Sequence, residues 1–251
     1  MGKEIKKINR FGLVGKNIEY SFSRSYFGEK FNREGIENCS YINFDLNSIE
    51  EIKAVLKEKN LKGLNVTIPY KESIINYLDS LSEEAKTIGA VNTVRFLKDG
   101  TTQGHNTDAF GFETALLEKW NNQSKKALVL GTGGASKAIE YVLEKMNIQP
   151  LFVSRNPSKD QISYNQIDQR IMTSHFLIIN CTPIGTHPDL NKAPNIPYDL
   201  LTKDHFLFDL IYNPEKTLFL KKGMKIGCTT VNGLHMLEQQ AEKSWEIWTK
   251  V

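Results

Sequence analysis

The sequence predicts an α/β fold with a parallel sheet, and three observations predict it. Short apolar runs alternate with segments of helical periodicity along most of the 251 residues. One run, residues 127–130, is continuously apolar, as a strand buried on both faces must be, and it passes through Gly131-Thr-Gly-Gly-Ala135 straight into a helical pattern. A further strand pattern then closes a strand–helix–strand unit within about 30 residues, the span of a right-handed βαβ crossover between parallel strands.

The elements follow in order. Residues 11–14 form an apolar strand closed by Gly15. Residues 23–35 read as a helix with Ser23 as cap and Phe27 and Phe31 on one face. Residues 41–44 alternate as a strand, and Asn47 caps a helix to Lys59 whose stripe is Ile49, Ile52, Val55 and Leu56. Residues 64–68 are the next strand, stopped by Pro69. Helices follow at 74–78 and 82–88. A hairpin of residues 93–97 and 101–104 turns at Asp99-Gly100, which predicts a type I′ turn. Residues 107–120 place Ala109, Phe112, Leu116 and Leu117 at helical spacing, and polar residues 121–126 connect two halves of the chain. After the glycine turn a helix covers 136–146, and strands follow at 151–153, 175–179 and 206–210. The last helix, 233–248, has Leu234, Leu237, Ala241, Trp245 and Trp248 on one stripe.

Composition narrows the class. With 40% hydrophobic and 24% charged residues, the chain can bury a large core and is not a disordered polyelectrolyte. The net charge of +3 is too small to argue for a nucleic-acid partner, and the lysines near Lys53, Lys57 and Lys59 alternate with Glu50, Glu51 and Glu58 as on a solvated helix face. Cys39, Cys181 and Cys228 are odd in number and far apart, which points to a reducing, cytoplasmic compartment. Residues 1–8 are charged and lack the apolar stretch of a signal peptide, Lys6 stands where myristoylation wants Ser or Thr, and no apolar run reaches membrane-spanning length.

The glycine turn is the clearest chemical motif. Gly131 allows the tight turn after a buried strand, and Gly133 and Gly134 leave the backbone open to a pyrophosphate at the N-terminus of the next helix. Ser136 stands where a strict G-x-G-x-x-G would have its last glycine. At the end of the following strand a site for NAD usually offers an acid for the ribose 2′-hydroxyl. Here Ser154-Arg155-Asn156-Pro157-Ser158-Lys159 offers two cations and no acid before Asp160, which suits a 2′-phosphate. Further polar clusters lie at element ends: Asn65-Val-Thr-Ile-Pro-Tyr-Lys71, Asn92-Thr93 and Gly104-His-Asn-Thr-Asp108. From the residues alone, Asn106, Thr107 and Asp108 are equally readable as helix caps. The five histidines have no metal spacing, and neither H-E-x-x-H nor G-x-S-x-G occurs, so no metal is expected.

Together these segments resemble a known family. Gly15-Lys-Asn-Ile-Glu-Tyr-Ser-Phe-Ser23, Asn65 to Lys71, Gly89-Ala-Val-Asn-Thr93, Gly104 to Asp108, Gly131 to Ala135, Asn180-Cys-Thr-Pro-Ile-Gly185 and Asn232-Gly-Leu-His-Met-Leu-Glu-Gln-Gln240 look like the successive motifs of the shikimate dehydrogenases, in the family's order and over nearly the whole chain. The resemblance implies an N-terminal α/β substrate-binding domain at 1–106, completed by the C-terminal helix 232–251. It implies a Rossmann-type, doubly wound NADP-binding domain at 107–231, with the active site in the cleft between the two. It implies the reversible, NADPH-dependent reduction of 3-dehydroshikimate to shikimate, on the way to chorismate and the aromatic amino acids.

Carried over residue by residue, the resemblance makes Lys71 and Asp108 the catalytic pair. Ser21 and Ser23 would bind the substrate carboxylate, and Thr67, Asn92, Tyr212 and Gln240 would make other substrate contacts. Gly131, Thr132, Gly133, Gly134, Ala135, Ser154, Arg155 and Lys159 would bind NADP(H), with Leu210 and Gly233 near the nicotinamide. The chain departs from the family pattern at Tyr20, Arg24, Ser154, Asn156 and His235, and few residues follow Trp248. The partner expected is a small-molecule substrate, with no nucleic acid and no membrane; monomer and homodimer are both compatible with the sequence. Two rival readings are a quinate/shikimate dehydrogenase with broader cofactor use and a non-catalytic NADP-binding regulator. The paired cations disfavour the first, and the presence of both Lys71 and Asp108 disfavours the second.

Overall fold

A computed structural model of the chain describes residues 8–19, 21–121 and 124–250. Tyr20 and parts of the N-terminal and 121–126 segments read above lie outside the described residues. The described residues divide into two compact units: those up to Thr107 with Ala241 onward, and Asp108–Gln240.

In the first unit β1 (Asn9–Gly15), α1 (Phe22–Arg33), β2 (Cys39–Asp45), α2 (Ile52–Val55), β3 (Leu61–Val66), β4 (Ser80–Leu81), α3 (Glu83–Ile88), β5 (Thr93–Phe96) and β6 (Thr102–His105) follow one another. The strands make one sheet in the order β2-β1-β3-β5-β6-β4. β1 pairs parallel with β2 and β3, and β5 runs antiparallel to β3 and β6. One cluster gathers Val14, Ile52, Leu64 and Ile74, and another gathers Phe11, Phe27, Phe31, Tyr41 and Trp248. Trp248 comes from the last helix, and its indole N–H donates to the Val94 carbonyl at 3.0 Å.

Several sequence expectations shift here. Ser21, not Ser23, occupies the cap position of α1, and its side chain makes no capping bond. The helix expected over 47–59 shrinks to a 3-10 turn at Ile49–Glu51 and the single turn of α2, because the chain must reverse through Asn60, at φ 65°, to enter β3 at Leu61. The helix expected at 74–78 is a 3-10 turn, Ser73–Tyr77. The hairpin turn is not type I′: Gly100 has φ 89°, but Asp99 is not in the left-handed region. Instead the Gly100 N–H donates to Leu97, the Leu97 N–H donates to Thr101, and the Asp99 carboxylate accepts from the Thr101 N–H and hydroxyl.

The second unit contains α4 (Asp108–Leu117), β7 (Lys126–Leu130), α5 (Gly134–Lys145), β8 (Gln149–Val153), β9 (Gln161–Ile162), α6 (Gln169–Met172), β10 (Leu177–Asn180), β11 (Phe206–Asp209), α7 (Leu218–Ile226) and β12 (Thr229–Val231). α8 (Leu234–Thr249) begins in this unit and ends in the first. The sheet order is β12-β11-β10-β7-β8-β9, and every pairing is parallel. Counted within the unit, this is the 3-2-1-4-5-6 order of a doubly wound dinucleotide fold, whose direction reverses between β7 and β10. The central strands are wholly buried, with Leu128, Leu130, Ile178 and Leu207 in one cluster. α4 stops at Leu117, which is exposed rather than on the buried stripe, three residues short of the expected end. β9, α6, α7 and β12 have no counterpart among the elements expected from the sequence.

No helix among the described residues is long and apolar enough to cross a membrane. None of their His, Cys, Asp and Glu side chains form a group that could hold a metal ion.

Candidate active site

In the first unit Asn65 of the N-V-T-x-P-Y-K segment and Thr107 of the N-T-D segment belong to one buried hydrogen-bond network. The Tyr41 hydroxyl donates to Asn65 Oδ1 at 2.8 Å, and its acidity is suppressed by burial. Asn65 Nδ2 donates to the Ser244 hydroxyl at 3.0 Å and to the Thr93 hydroxyl at 3.3 Å. Ser244 also bonds Thr93 at 2.7 Å and Thr107 at 3.1 Å. Asn92 Oδ1 accepts the Thr107 backbone N–H at 2.7 Å, and Asn92 Nδ2 donates to the Thr107 hydroxyl. The network therefore fixes Thr107, the residue before Asp108, from both sides. Buried polar groups left unpaired are costly, so a network of this kind favours one arrangement strongly.

The same region sets the other candidate residues. Lys71 is half-buried; its carbonyl accepts from the Val91 N–H at 2.7 Å, next to Asn92. Thr67 leaves β3 with its N–H on the Val14 carbonyl. Ser21 and Ser23 are half-buried at the start of α1. The loop ahead of them is shaped by Asp45, whose carboxylate accepts the N–H groups of Asn17 and Ile18 at 2.9 and 3.0 Å, while Asn43 Nδ2 donates to the Ile18 carbonyl. Arg24 is exposed.

In the second unit the candidate cofactor residues follow the carboxyl ends of the parallel strands, where open α/β sheets bind their ligands, with Lys159 further along the loop that enters β9. Gly131 follows β7 at φ 99°, a conformation that favours glycine, and its N–H donates to the Val153 carbonyl. Thr132 and Gly133 are exposed, and side-chain atoms added at Gly133 or Gly134 would meet only open space. A pyrophosphate thus has free approach to the start of α5. Ser136 is buried and donates to the Gly133 carbonyl at 2.7 Å, which fixes the turn where the strict motif would have a third glycine. Ala135 is half-buried in the first turn of α5. Ser154 follows β8 and accepts the Asn156 N–H, while Arg155 and Lys159 are both exposed. Two exposed cations beside an open glycine turn fit the phosphates of NADP.

On the other side of the switch, Leu210 follows β11 with its N–H on the Asn180 carbonyl. Any side chain at Gly233 would overlap the Leu210 carbonyl, so the chain passes here only as glycine. Tyr212 is half-buried, and burial raises its hydroxyl's proton affinity. Gln240 is buried with Nε2 on the Leu237 carbonyl at 2.9 Å. His235 points its Nε2 to within 3.5 Å of Glu118.

Comparison with known proteins decides the family. Residues 13–94 match the model described as the shikimate dehydrogenase substrate binding domain. Shikimate dehydrogenase (NADP(+)) of Methanococcus maripaludis strain C6 is 39% identical over 97% of this chain and 92% of its own length. The chain belongs to the shikimate dehydrogenase family. The corresponding protein of Methanosphaera stadtmanae is also 39% identical, over 95% of this chain and 90% of its own. Among solved structures, the family member from Thermus thermophilus, in complex with NADP(H) and shikimate, is 30% identical with a TM-score of 0.86, covering 97% of this chain and 94% of that one.

Within the family frame, two residues stand out that the sequence reading passed over. Ser244 joins three arms of the first unit's network. Asp209 ends β11 with no exposed surface, and burial pushes its carboxyl up to about 6 despite bonds from Thr217, Ile211 and Asn180. A signal existed for Ser244: it lies between Ala241 and Trp248 on the helix's buried stripe.

Proposed function

We infer that this chain catalyses the reversible, NADPH-dependent reduction of 3-dehydroshikimate to shikimate. The observation that carries this reading is the doubly wound second sheet, which puts the glycine turn and the Arg155–Lys159 segment at adjacent strand ends in a chain 39% identical to a curated shikimate dehydrogenase (NADP(+)). The first unit is read as the substrate-binding domain and the second as the NADP-binding domain.

When bound, NADP(H) supplies the hydride. As a ketone is reduced, negative charge builds on its oxygen, and a proton donor lowers the barrier. Lys71 and Asp108 are proposed as the pair that delivers that proton and, in the oxidative direction, removes it. The hydroxyls of Ser21 and Ser23 donate to the substrate carboxylate, and Thr67, Asn92, Tyr212 and Gln240 hold the rest of the substrate. The backbone from Gly131 through Thr132, Gly133 and Gly134 to Ala135 takes the pyrophosphate. Ser154, Arg155 and Lys159 take the 2′-phosphate, and Leu210 and Gly233 face the nicotinamide. All three cysteines are free thiols, which suits the cytoplasm.

Initial rates of NADP+ reduction with shikimate, set against NAD+ and against quinate, test the reading. Shikimate with NADP+ should give the highest kcat/KM. A higher value for quinate with NAD+ would favour the broader dehydrogenase instead, and no reduction at all would favour the regulator.

A further inference from the structure

We propose that Asp209 is a positioning residue that fixes the nicotinamide side of the cofactor site; the proposal rests on the reading of Leu210 and Gly233 given above. Asp209 is fully buried at the carboxyl end of β11, and its two oxygens collect donors from three segments. Oδ1 accepts Asn180 Nδ2 at 3.0 Å and the Ile211 N–H at 3.1 Å, and Oδ2 accepts the Thr217 hydroxyl at 2.6 Å.

Two of those donors lead to cofactor segments, and the third anchors the start of α7. Asn180 Oδ1 accepts both the N–H and the hydroxyl of Thr182, at 3.0 and 2.7 Å. The Thr182 methyl in turn closes the space beside Gly131 in the glycine turn. The Ile211 carbonyl accepts the Gly233 N–H at 3.1 Å, and Gly233 lies on the Leu210 carbonyl. Thr217 caps α7 by accepting the Leu220 N–H, so its hydroxyl hydrogen is directed at Asp209. One carboxylate thus ties together the turn after β7, the loops after β10 and β11, and the entry to α8.

The choice of an acid is itself informative. An asparagine would be cheaper to bury, since an ionised carboxylate loses its hydration. Three converging donors, however, require two acceptor oxygens, and asparagine has one. Its amide would face a Thr217 hydroxyl that has to donate, and the segments would shift to accommodate it.

The test compares wild type, Asp209→Asn and Thr217→Val in NADP+ reduction with shikimate, together with binding of NADP+ and of 2′,5′-ADP, which lacks the nicotinamide. Misplaced reacting groups cost roughly 10- to 100-fold in rate. The expected result is a kcat lowered by about that factor in Asp209→Asn, weaker NADP+ binding and unchanged 2′,5′-ADP binding. An unchanged kcat, or equal weakening of both ligands, would overturn the proposal, since a merely structural residue would disturb the whole sheet edge alike. Should Asp209→Asn not fold, Thr217→Val, which removes a single donor at nearly constant volume, decides by the same readouts. A wild type inactive with shikimate would overturn the functional reading; an active wild type with an indifferent Asp209→Asn would overturn this inference alone.

Discussion

In the first unit, the segments bearing Asn92, Thr107 and the strand leading to Lys71 are joined through neutral groups: Tyr41, Asn65, Thr93 and Ser244 exchange hydroxyl and amide hydrogen bonds. In the second, Asn180 at the end of β10, Ile211 after β11 and Thr217 at the start of α7 converge on the single carboxylate of Asp209. A neutral network has no proton to gain or lose near neutral pH, so its geometry is the same across the working range. A buried carboxylate accepts several donors at once, but its charge makes it sensitive to pH. The difference separates a region built to hold chemistry steady from one whose grip on the cofactor carries a titratable element.

The sharpest way to break this division of labour is at the reacting groups. Lys71→Ala should cut kcat by roughly 10²–10⁴, the usual range for one acid or base group, and leave NADP+ binding nearly unchanged. If NADP+ affinity fell with kcat, the first unit would not be limited to substrate chemistry.

Arg155→Ala should do the converse. One charge-assisted bond to a phosphate is worth about 1.5–3 kcal/mol, so the preference for NADP+ over NAD+ should fall by roughly 10- to 150-fold while kcat stays near wild type. The ratio of kcat/KM for the two cofactors, at fixed ionic strength, is the readout. Lys159→Ala should move that ratio less, because an exposed flexible charge is screened.

Ser244→Ala leaves Asn65, Thr93 and Thr107 each short of a partner in a buried site. Unfolding by urea should show a loss of about 1–3 kcal/mol that does not change between pH 5 and pH 7. A pH-dependent loss would contradict the neutral character of the network.

The last test addresses the other half of the comparison. Burial raises the Asp209 carboxyl from the ordinary 3.8 to about 6 in the folded state. The folded protein therefore binds more protons than the unfolded chain within that window, and stability falls as pH rises through it. This contribution is fully present below the unfolded value and gone once pH passes the folded one. Urea midpoints for wild type and Asp209→Asn should therefore diverge in slope between pH 4 and 6.5, the wild type losing more. Parallel curves would mean that Asp209 does not titrate in that range.

Much of this was legible in the sequence because it depends on local rules. The buried strand at 127–130 and the glycine turn needed no tertiary information, and the absence of an acid before Asp160 pointed to a phosphate. Expectations failed where distant packing overrode local pattern. The stripe of Ile49, Ile52, Val55 and Leu56 promised a long helix, but the reversal at Asn60 cut it short. α7 carried its own markers, Thr217 as cap and Gly227 at its end with φ 92°, but its apolar run is short and no element was expected there. Asp209 fell within the expected strand 206–210 and was not singled out, since nothing in its neighbours reveals that donors from three segments close over it. Ser244 was hidden by its place in an apolar stripe, where a single hydroxyl looks incidental until its partners, far away in sequence, are known.

The first unit's network also has a consequence for how the chain is made. The bond between Thr107 and Ser244 spans 137 positions, and Thr93 and Asn65 reach the same hydroxyl over greater separations. Residues 108–240 form the other unit as one uninterrupted stretch. During vectorial synthesis the later half of the message is therefore the first to have all of its own parts. Tyr41, Asn65 and Thr93 leave the ribosome early, but wait for Ser244 and Trp248 before their interior is sealed. At elongation rates of about 5–20 residues per second, that wait lasts roughly 8–40 seconds for Asn65, time in which an incomplete sheet with an open apolar face is exposed to chaperones and proteases.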